Sequence, residues 1–301
     1  MYGSGLLRRL ANGRHCGAIL MFHEIAPASG ERLHGFLSRI SRQFTIVSLE
    51  ELLGELASLH PPKSLPIALT FDDGLKNHST VVYPILRDLN LSATFYVCPG
   101  LIESVPATWT WEMVCRIAWL SEPDLQTIFG QRGTGYGTAE LLHWMQRIPV
   151  NERMSIVENV RKHTKEFEFT ESELDLYGLM SWGDLRALDP AIVNVGSHTM
   201  THPDLPQLSA AELESELETS KLFLEQELGR PVRDLAYPNG NFDQAVVDFS
   251  ARCYRSAVTT NCGGVRALDS PFTLNRISAD EIDLKWTSWL LAMHTGKGHR
   301  C

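Results

Sequence analysis

Short apolar runs rich in β-branched and aromatic residues recur along the chain, with helical periodicity between them. They are AILMFHEI (18–25), PIALTFDDG (66–74), ATFYV (93–97), IVNVGSHT (192–199), DLAYP (234–238), RSAVTT (255–260) and FTLNRIS (272–278). Buried parallel strands read as near-continuous apolar stretches, and alternation with helices is the pattern of βαβ units. About seven such units predict a barrel rather than an open sheet. Helices are clearest at SLEELLGELASL (48–59), YPILRDLN (83–90) and LSAAELESELETSKLFLEQELG (208–229). In the last, Ser209 with Glu212 three residues on forms a capping-box pattern, and Gly229 supplies the stop.

The alternation fails between Val97 and Ile192. There a Gly-rich patch, GQRGTGYG (130–137), precedes helical and acidic sequence such as NERMSIVENVRKHTKEFE (151–168). This predicts a mostly helical insertion, 98–191, within a single domain spanning 1–301. No repeat and no Pro/Ser-rich linker calls for a second domain, and 301 residues suit one large core.

Charge and cysteine usage narrow the partners. With 27 Lys+Arg against 36 Asp+Glu, the formal charge of −9 has the wrong sign for holding a phosphate backbone, so nucleic acid is not an expected partner. Six dispersed cysteines without a C-x-x-C pair fit a reduced, cytoplasmic setting. The amino-terminal apolar run is short and ends in His-Glu, so it reads as a first strand and not a signal peptide. No run approaches the roughly 20 residues of a transmembrane helix. WTSWLLAM (286–293) is expected to be an amphipathic last helix or one that docks on a surface, which leaves peripheral membrane or assembly-complex contact open.

Candidate chemistry gathers at the carboxyl ends of the predicted strands, where barrel enzymes place their active sites. Asp72 and Asp73 end one strand. Adjacent strand residues face opposite ways, so one carboxylate can serve a substrate water and the other a metal. An ordinary Asp-Asp-Gly turn is an equal reading of these three residues alone. His198 and His202 follow another strand at a spacing that lets both imidazoles reach one divalent ion. Arbitrary H-x-x-x-H pairs are more often surface histidines, but this one, like the Asp pair, follows a strand.

TFDDG (70–74), SHTMTHPDL (197–205) and AYPNG (236–240), with ATFYV after the first, together resemble the polysaccharide deacetylase family, the NodB-homology domain of carbohydrate esterase family 4. The similarity runs from about Ala18 to about Ser278. It implies a distorted (β/α)7-8 barrel and metal-dependent hydrolysis of the acetamide of an N-acetylated amino sugar in a polysaccharide or glycoconjugate. Carried over by position, Asp72 is implied as general base, and Asp73, His198 and His202 as ligands of a divalent metal. Zinc is the expected ion, with cobalt, nickel and iron as alternatives. The main chain of Tyr237 is implied as oxyanion donor.

The sequence departs from the family pattern in two places. The third motif lacks arginine, and the late histidine is represented only by His294, at the end of a predicted helix. Arg276 in LNRIS is the candidate replacement beside Asp72, with a surface arginine as the alternative. LMFHEI is similar to a first-strand pattern in an exopolysaccharide-deacetylase-like subset, which makes His23 the candidate general acid. The alternative reading is a strand-end histidine satisfied by a neighbouring carboxylate. Trp109, Trp111 and Trp182 offer flat faces for sugar rings, although tryptophan is as often core. Glu112 reads as a helix-start acid. Two other functions stay open: a catalytically silent carbohydrate-binding barrel, and another C–N or phosphoester metallohydrolase on the same scaffold.

Overall fold

The structure, a computed structural model of the chain, describes residues 16–58, 62 and 64–279. The predicted last helix at 286–293 and His294 lie outside the described residues.

Among the described residues nine strands form one sheet: β1 (Cys16–Phe22), β2 (Thr45–Ile46), β3 (Pro66–Phe71), β4 (Ala93–Val97), β5 (Val193–Ser197), β6 (Asp234–Ala236), β7 (Ser256–Cys262), β8 (Val265–Arg266) and β9 (Leu274–Ser278). The order is β2-β3-β4-β5-β6-β7-β9-β1-β8, and a further parallel pairing of β1 with β3 closes a ring of seven parallel strands. The short β2 lies outside that ring on β3, and β8 pairs antiparallel with β1. All seven predicted strand segments belong to the closed ring. Their apolar runs follow from burial on both faces, as in β3, where every residue is buried.

The period-two pleat divides each strand between two cores. Leu20, Leu69, Phe71, Phe95, Val195 and Leu235 pack outward with the surrounding helices. Ile19, Ala68, Tyr96, Ala236, Val258 and Leu274 form a second cluster inside the ring, joined by Leu49, Leu52 and Leu56 of the helix Leu49–Ala57. That helix begins with the Ser48/Glu51 capping box. Interior space is tight: a Cβ on Gly196 would lie 2.4 Å from the Tyr96 ring, so glycine in β5 is what admits the tyrosine.

Between β4 and β5 the chain is helical, including Trp109–Trp119, Val150–His163 and Glu171–Tyr177. Met113, Ile117, Phe129, Leu141, Met145, Val157 and Val160 give these helices a core of their own. Two backbone links tie the segment's end to the turn after β3: Met180 N–H donates to Gly74 C=O at 2.9 Å, and Lys76 N–H donates to Gly178 C=O at 2.7 Å. The long helix predicted at 208–229 starts with the Ser209/Glu212 capping box and stops at a left-handed Gly229, with a π-turn at Ser215–Thr219 inside it.

Among the described residues no helix is long and apolar enough to cross a membrane. Cys98, Cys115 and Cys253 are free thiols, whereas Cys262 is disulfide-bonded.

Candidate active site

Strand parity brings the chemistry together. Ala68 faces the interior of the ring, and stepping by two along the same strand leads through Thr70 to Asp72. The same step leads from Ile19 through Met21 to His23, and from Leu274 to Arg276. The side chains of Asp72 and Arg276 meet there although 204 residues separate them. Arg276 Nη1 donates to Asp72 Oδ1 at 2.7 Å and Nη2 donates to Oδ2 at 2.6 Å, a bidentate pair. Its other donors reach Thr259 C=O at 2.7 Å and Thr70 Oγ1 at 3.2 Å. Arg276 and Asp72 are each 1% exposed. Burial alone would raise the Asp72 pKa, but the guanidinium, with His198 and His23, outweighs it and holds the carboxyl far below its ordinary value. Arg276 thus stands where the sequence comparison left a missing arginine.

Asp73 has the opposite parity, and its backbone corrects for that. Its φ of 71° is left-handed, a region that Asp tolerates better than most residues. Gly74 follows with φ 66°, and a Cβ there would sit 2.8 Å from Val97 Cγ1, so this turn requires glycine. The result is that both carboxylates line one cleft and do not face opposite ways. Asp73 Oδ1 lies 3.6 Å from His198 Nε2 and 3.5 Å from His202 Nε2. The three ligand atoms fall within 4.8 Å of one another, and all three residues are buried.

The donor set suits a divalent ion. His198 Nδ1–H donates to Ala236 C=O at 2.8 Å, which fixes the tautomer and leaves the Nε2 lone pair facing Asp73. Burial and the neighbouring His198 push the His202 imidazole down to about 4, so it is neutral at neutral pH and has a lone pair to offer a cation. The His202 loop is strained, with φ 68° at Thr199 and 61° at His202. Hydrogen bonds hold it there. Thr199 Oγ1 accepts from His202 N–H at 3.1 Å, and the Glu216 carboxylate accepts from Met200 N–H, Thr201 N–H and Thr201 Oγ1–H at 2.8, 2.9 and 2.6 Å.

His23 Nε2 lies 3.9 Å from Asp72 Oδ2, with about a quarter of its side chain exposed to the cleft. Its backbone is held from behind. His78 Nε2–H donates to His23 C=O at 2.8 Å, and Asn77 Oδ1 accepts from Ile25 N–H at 3.2 Å. Sequence reasoning passed over His78, Asn77 and Glu216. The first two lie within six residues of the Asp pair, a signal of proximity only, whereas Glu216 resembles any acid of an exposed helix face.

The cleft has a volume of about 300 Å³, and its walls include Glu24, Thr110, Trp111, Gln146, Asn239 and Thr260 beside the five Asp and His side chains. Tyr237 does not fit the part expected of it. Its N–H already donates to Val258 C=O at 3.1 Å within the sheet, and its hydroxyl donates to Phe272 C=O at 3.0 Å. Asn239, from the same turn, is the residue that reaches the wall. The tryptophans also separate. Trp182 packs on Phe223 at 5.5 Å and Trp109 lies under Arg153 at 5.1 Å, both away from the cleft, and only Trp111 lines it. Glu112 is more than a helix-start acid, since it pairs with both Arg116 and Arg161.

Comparison with known families settles the class. The polysaccharide deacetylase profile matches residues 60–118 and 152–256, just over half of the chain. The chain belongs to the polysaccharide deacetylase family. Solved structures show the same fold. The Streptococcus pyogenes deacetylase PplD, solved with acetate, is 21% identical over 87% of this chain and 92% of its own, with a TM-score of 0.59. IcaB from Ammonifex degensii is 16% identical over 94% and 98%, at 0.59. The BpsB deacetylase domain from Bordetella bronchiseptica is 16% identical over 87% and 95%, at 0.57. No curated protein matches. This chain is thus a member of a hydrolase family, on a closed seven-stranded barrel, and holds an Asp73/His198/His202 cluster that could bind a metal.

Proposed function

We propose that this protein is a metal-dependent N-deacetylase that hydrolyses the acetamide of an N-acetylated amino sugar in a polysaccharide or glycoconjugate. The observation that carries the reading is the meeting, in one cleft, of an Arg276-clamped Asp72 with the Asp73/His198/His202 cluster and His23. A divalent cation held by Asp73, His198 and His202, with zinc the expected ion, would polarise the amide carbonyl and acidify water when bound. Asp72, kept ionised by Arg276, accepts the proton of the attacking water. His23 gives a proton to the departing nitrogen as the C–N bond breaks. The products are acetate and the free amine, so water is the only co-reactant.

The cleft wall favours an amide over a phosphoester. Among the described residues that line it there is no lysine or arginine, and the nearest guanidinium is already engaged by Asp72. A transferring phosphoryl group calls for cationic partners.

The test is metal analysis of the purified chain together with acetate release from N-acetylglucosamine oligomers, for wild type and Asp72→Asn. Stoichiometric metal in both, with acetate release reduced about 100-fold or more in Asp72→Asn, is the expected result for loss of a general base. Failure of the wild type to bind any divalent ion would sink the assignment.

A further inference from the structure

Asp73 uses its two carboxylate oxygens differently. Oδ1 faces the imidazoles of His198 and His202, while Oδ2 accepts a 2.8 Å hydrogen bond from the indole Nε1–H of Trp111. Trp111 belongs to the helix Trp109–Trp119, the first of the segment between β4 and β5. Asp73 is only 6% exposed and sits in a left-handed turn, so little solvent reaches its outer oxygen. A buried carboxylate oxygen without a donor is costly, and the indole supplies that donor.

The indole is itself held in place. One face is stacked on the Tyr177 ring at 4.8 Å and 16°, so that face is closed to a sugar ring. Tyr177 ends the helix Glu171–Tyr177, whose Leu176 C=O accepts from Asn77 Nδ2–H at 2.7 Å, four residues beyond Asp73. From the other side Glu112, next in sequence, pairs with Arg161 of the helix Val150–His163. The ring therefore cannot turn its N–H away without breaking the stack on Tyr177, and the Glu112–Arg161 pair anchors the helix turn that carries it. Its location also matters: the helical segment with a core of its own delivers one donor to the cluster in the barrel.

We propose that Trp111 is a positioning residue of the metal centre, whose N–H fixes the Asp73 carboxylate with one oxygen turned toward the ion. The helical segment is then part of the site's machinery and not an appendage to the barrel. This rests on the reading of Asp73, His198 and His202 as metal ligands. Partners that orient ligands from outside the coordination shell typically change metal affinity by about 10- to 100-fold.

The experiment measures zinc affinity by competition with a chromophoric chelator, and the visible spectrum of the cobalt-substituted protein, for wild type, Trp111→Phe and Tyr177→Leu. Phenylalanine keeps an aromatic ring for Tyr177 and removes the N–H together with part of the indole's volume, whereas Tyr177→Leu keeps the N–H and deletes the stack. Expected are zinc binding weakened about 10-fold or more in Trp111→Phe with altered cobalt bands, and binding within about threefold of wild type in Tyr177→Leu. Wild-type affinity in Trp111→Phe overturns this inference and leaves the metal reading standing. Equal weakening in both variants overturns it too, because packing would then be the cause. A wild-type chain that binds no zinc overturns both. If Trp111→Phe does not fold, hydrogen exchange of the assigned Trp111 indole proton in the wild type decides. Protection supports the bond, and exchange as fast as that of the half-exposed Trp119 overturns it.

Discussion

Replacing Arg276 with methionine removes a guanidinium that makes four hydrogen bonds, two of them to Asp72, from a site where neither partner is more than 1% exposed. Methionine fills comparable apolar volume, so the change is mostly one of charge. Asp72 is left as a buried carboxylate for which burial, the largest influence on its pKa, is no longer offset by its main cation. Breaking a buried pair by removing one partner costs about 3–5 kcal/mol. The loss should be largely reversed by neutralising the survivor. We therefore expect Arg276→Met to lower the unfolding free energy of the metal-free protein by about 3–5 kcal/mol at pH 7, and Arg276→Met with Asp72→Asn to recover more than half of that. The assay is urea unfolding at equilibrium, read as a shift in midpoint at constant slope. The sign with pH is fixed as well. The folded pKa of Asp72 is depressed, so the pair's contribution is complete above the unfolded value of 3.8 and is lost as pH falls below it toward the folded value. In Arg276→Met burial is no longer offset by the guanidinium and raises the Asp72 pKa, so the variant recovers stability as its carboxyl protonates, and the difference from wild type should shrink progressively as pH is lowered from 7. A single-mutant loss under about 1 kcal/mol, or a double mutant no more stable than the single, would refute the claim that Arg276 compensates a buried charge at Asp72.

Glu216→Ala removes the acceptor of three hydrogen bonds that hold the Met200–Thr201 backbone, so the strained His202 loop should relax and zinc affinity fall by about 10-fold with the fold retained. Equilibrium dialysis checks this, and unchanged affinity would show that the loop holds its own shape. His78 is fully buried, and burial pushes its imidazole down to about 4 from 6.5, so the unfolded chain takes up a proton there first as pH falls below 6.5. Its folded pKa is lowered, so stability is complete above 6.5 and declines toward 4. The decline due to His78 between pH 7 and 5 is expected to be on the order of 1–2 kcal/mol, so urea unfolding of the metal-free chains at the two pH values should show a total decline smaller by that amount in His78→Phe, with the share of His202, also pushed down to about 4, remaining. Equal pH slopes in the two chains would show that His78 is not the group responsible.

The elements that could be read from the sequence are those governed by local periodicity. Burial on both faces of a barrel strand makes its apolar run visible in five or six consecutive residues, as at Pro66–Phe71 and Ala93–Val97, and both strands stand where that pattern put them. The Ser209/Glu212 capping box was legible for the same reason, since its partners are three residues apart. Strand-end chemistry was half legible. Parity says which strand residues share a face, and it placed Asp72 correctly, but it failed at Asp73 because a left-handed φ there cancels the alternation. No period reveals a backbone inversion. Tyr237 failed by a related mechanism: motif position put it at the site, whereas the sheet register had already committed its N–H to Val258.

What remained hidden depends on contacts that only closure of the ring creates. The sequence offers Arg276 beside Asp72 only as one of two readings, and the pair forms because β9 pairs with β1 and β1 with β3, a relation between three strands that no window of sequence contains. Closure of the fold likewise sets Glu216 against the His202 loop and Trp111 against Asp73, where Glu216 looks like any acid of a helix face and Trp111 offers the sequence reader only a flat ring. The ligands and the base can be recognised one at a time because their residue types are chemically rare at strand ends. The groups that orient them come from helices whose sequence is dictated by packing, so their second task leaves no mark on the pattern. The orientation of a site of this kind should therefore be sought among the residues that barrel closure brings within hydrogen-bond reach of the rare ones, and in this chain that search leads from Asp73 to the helix Trp109–Trp119.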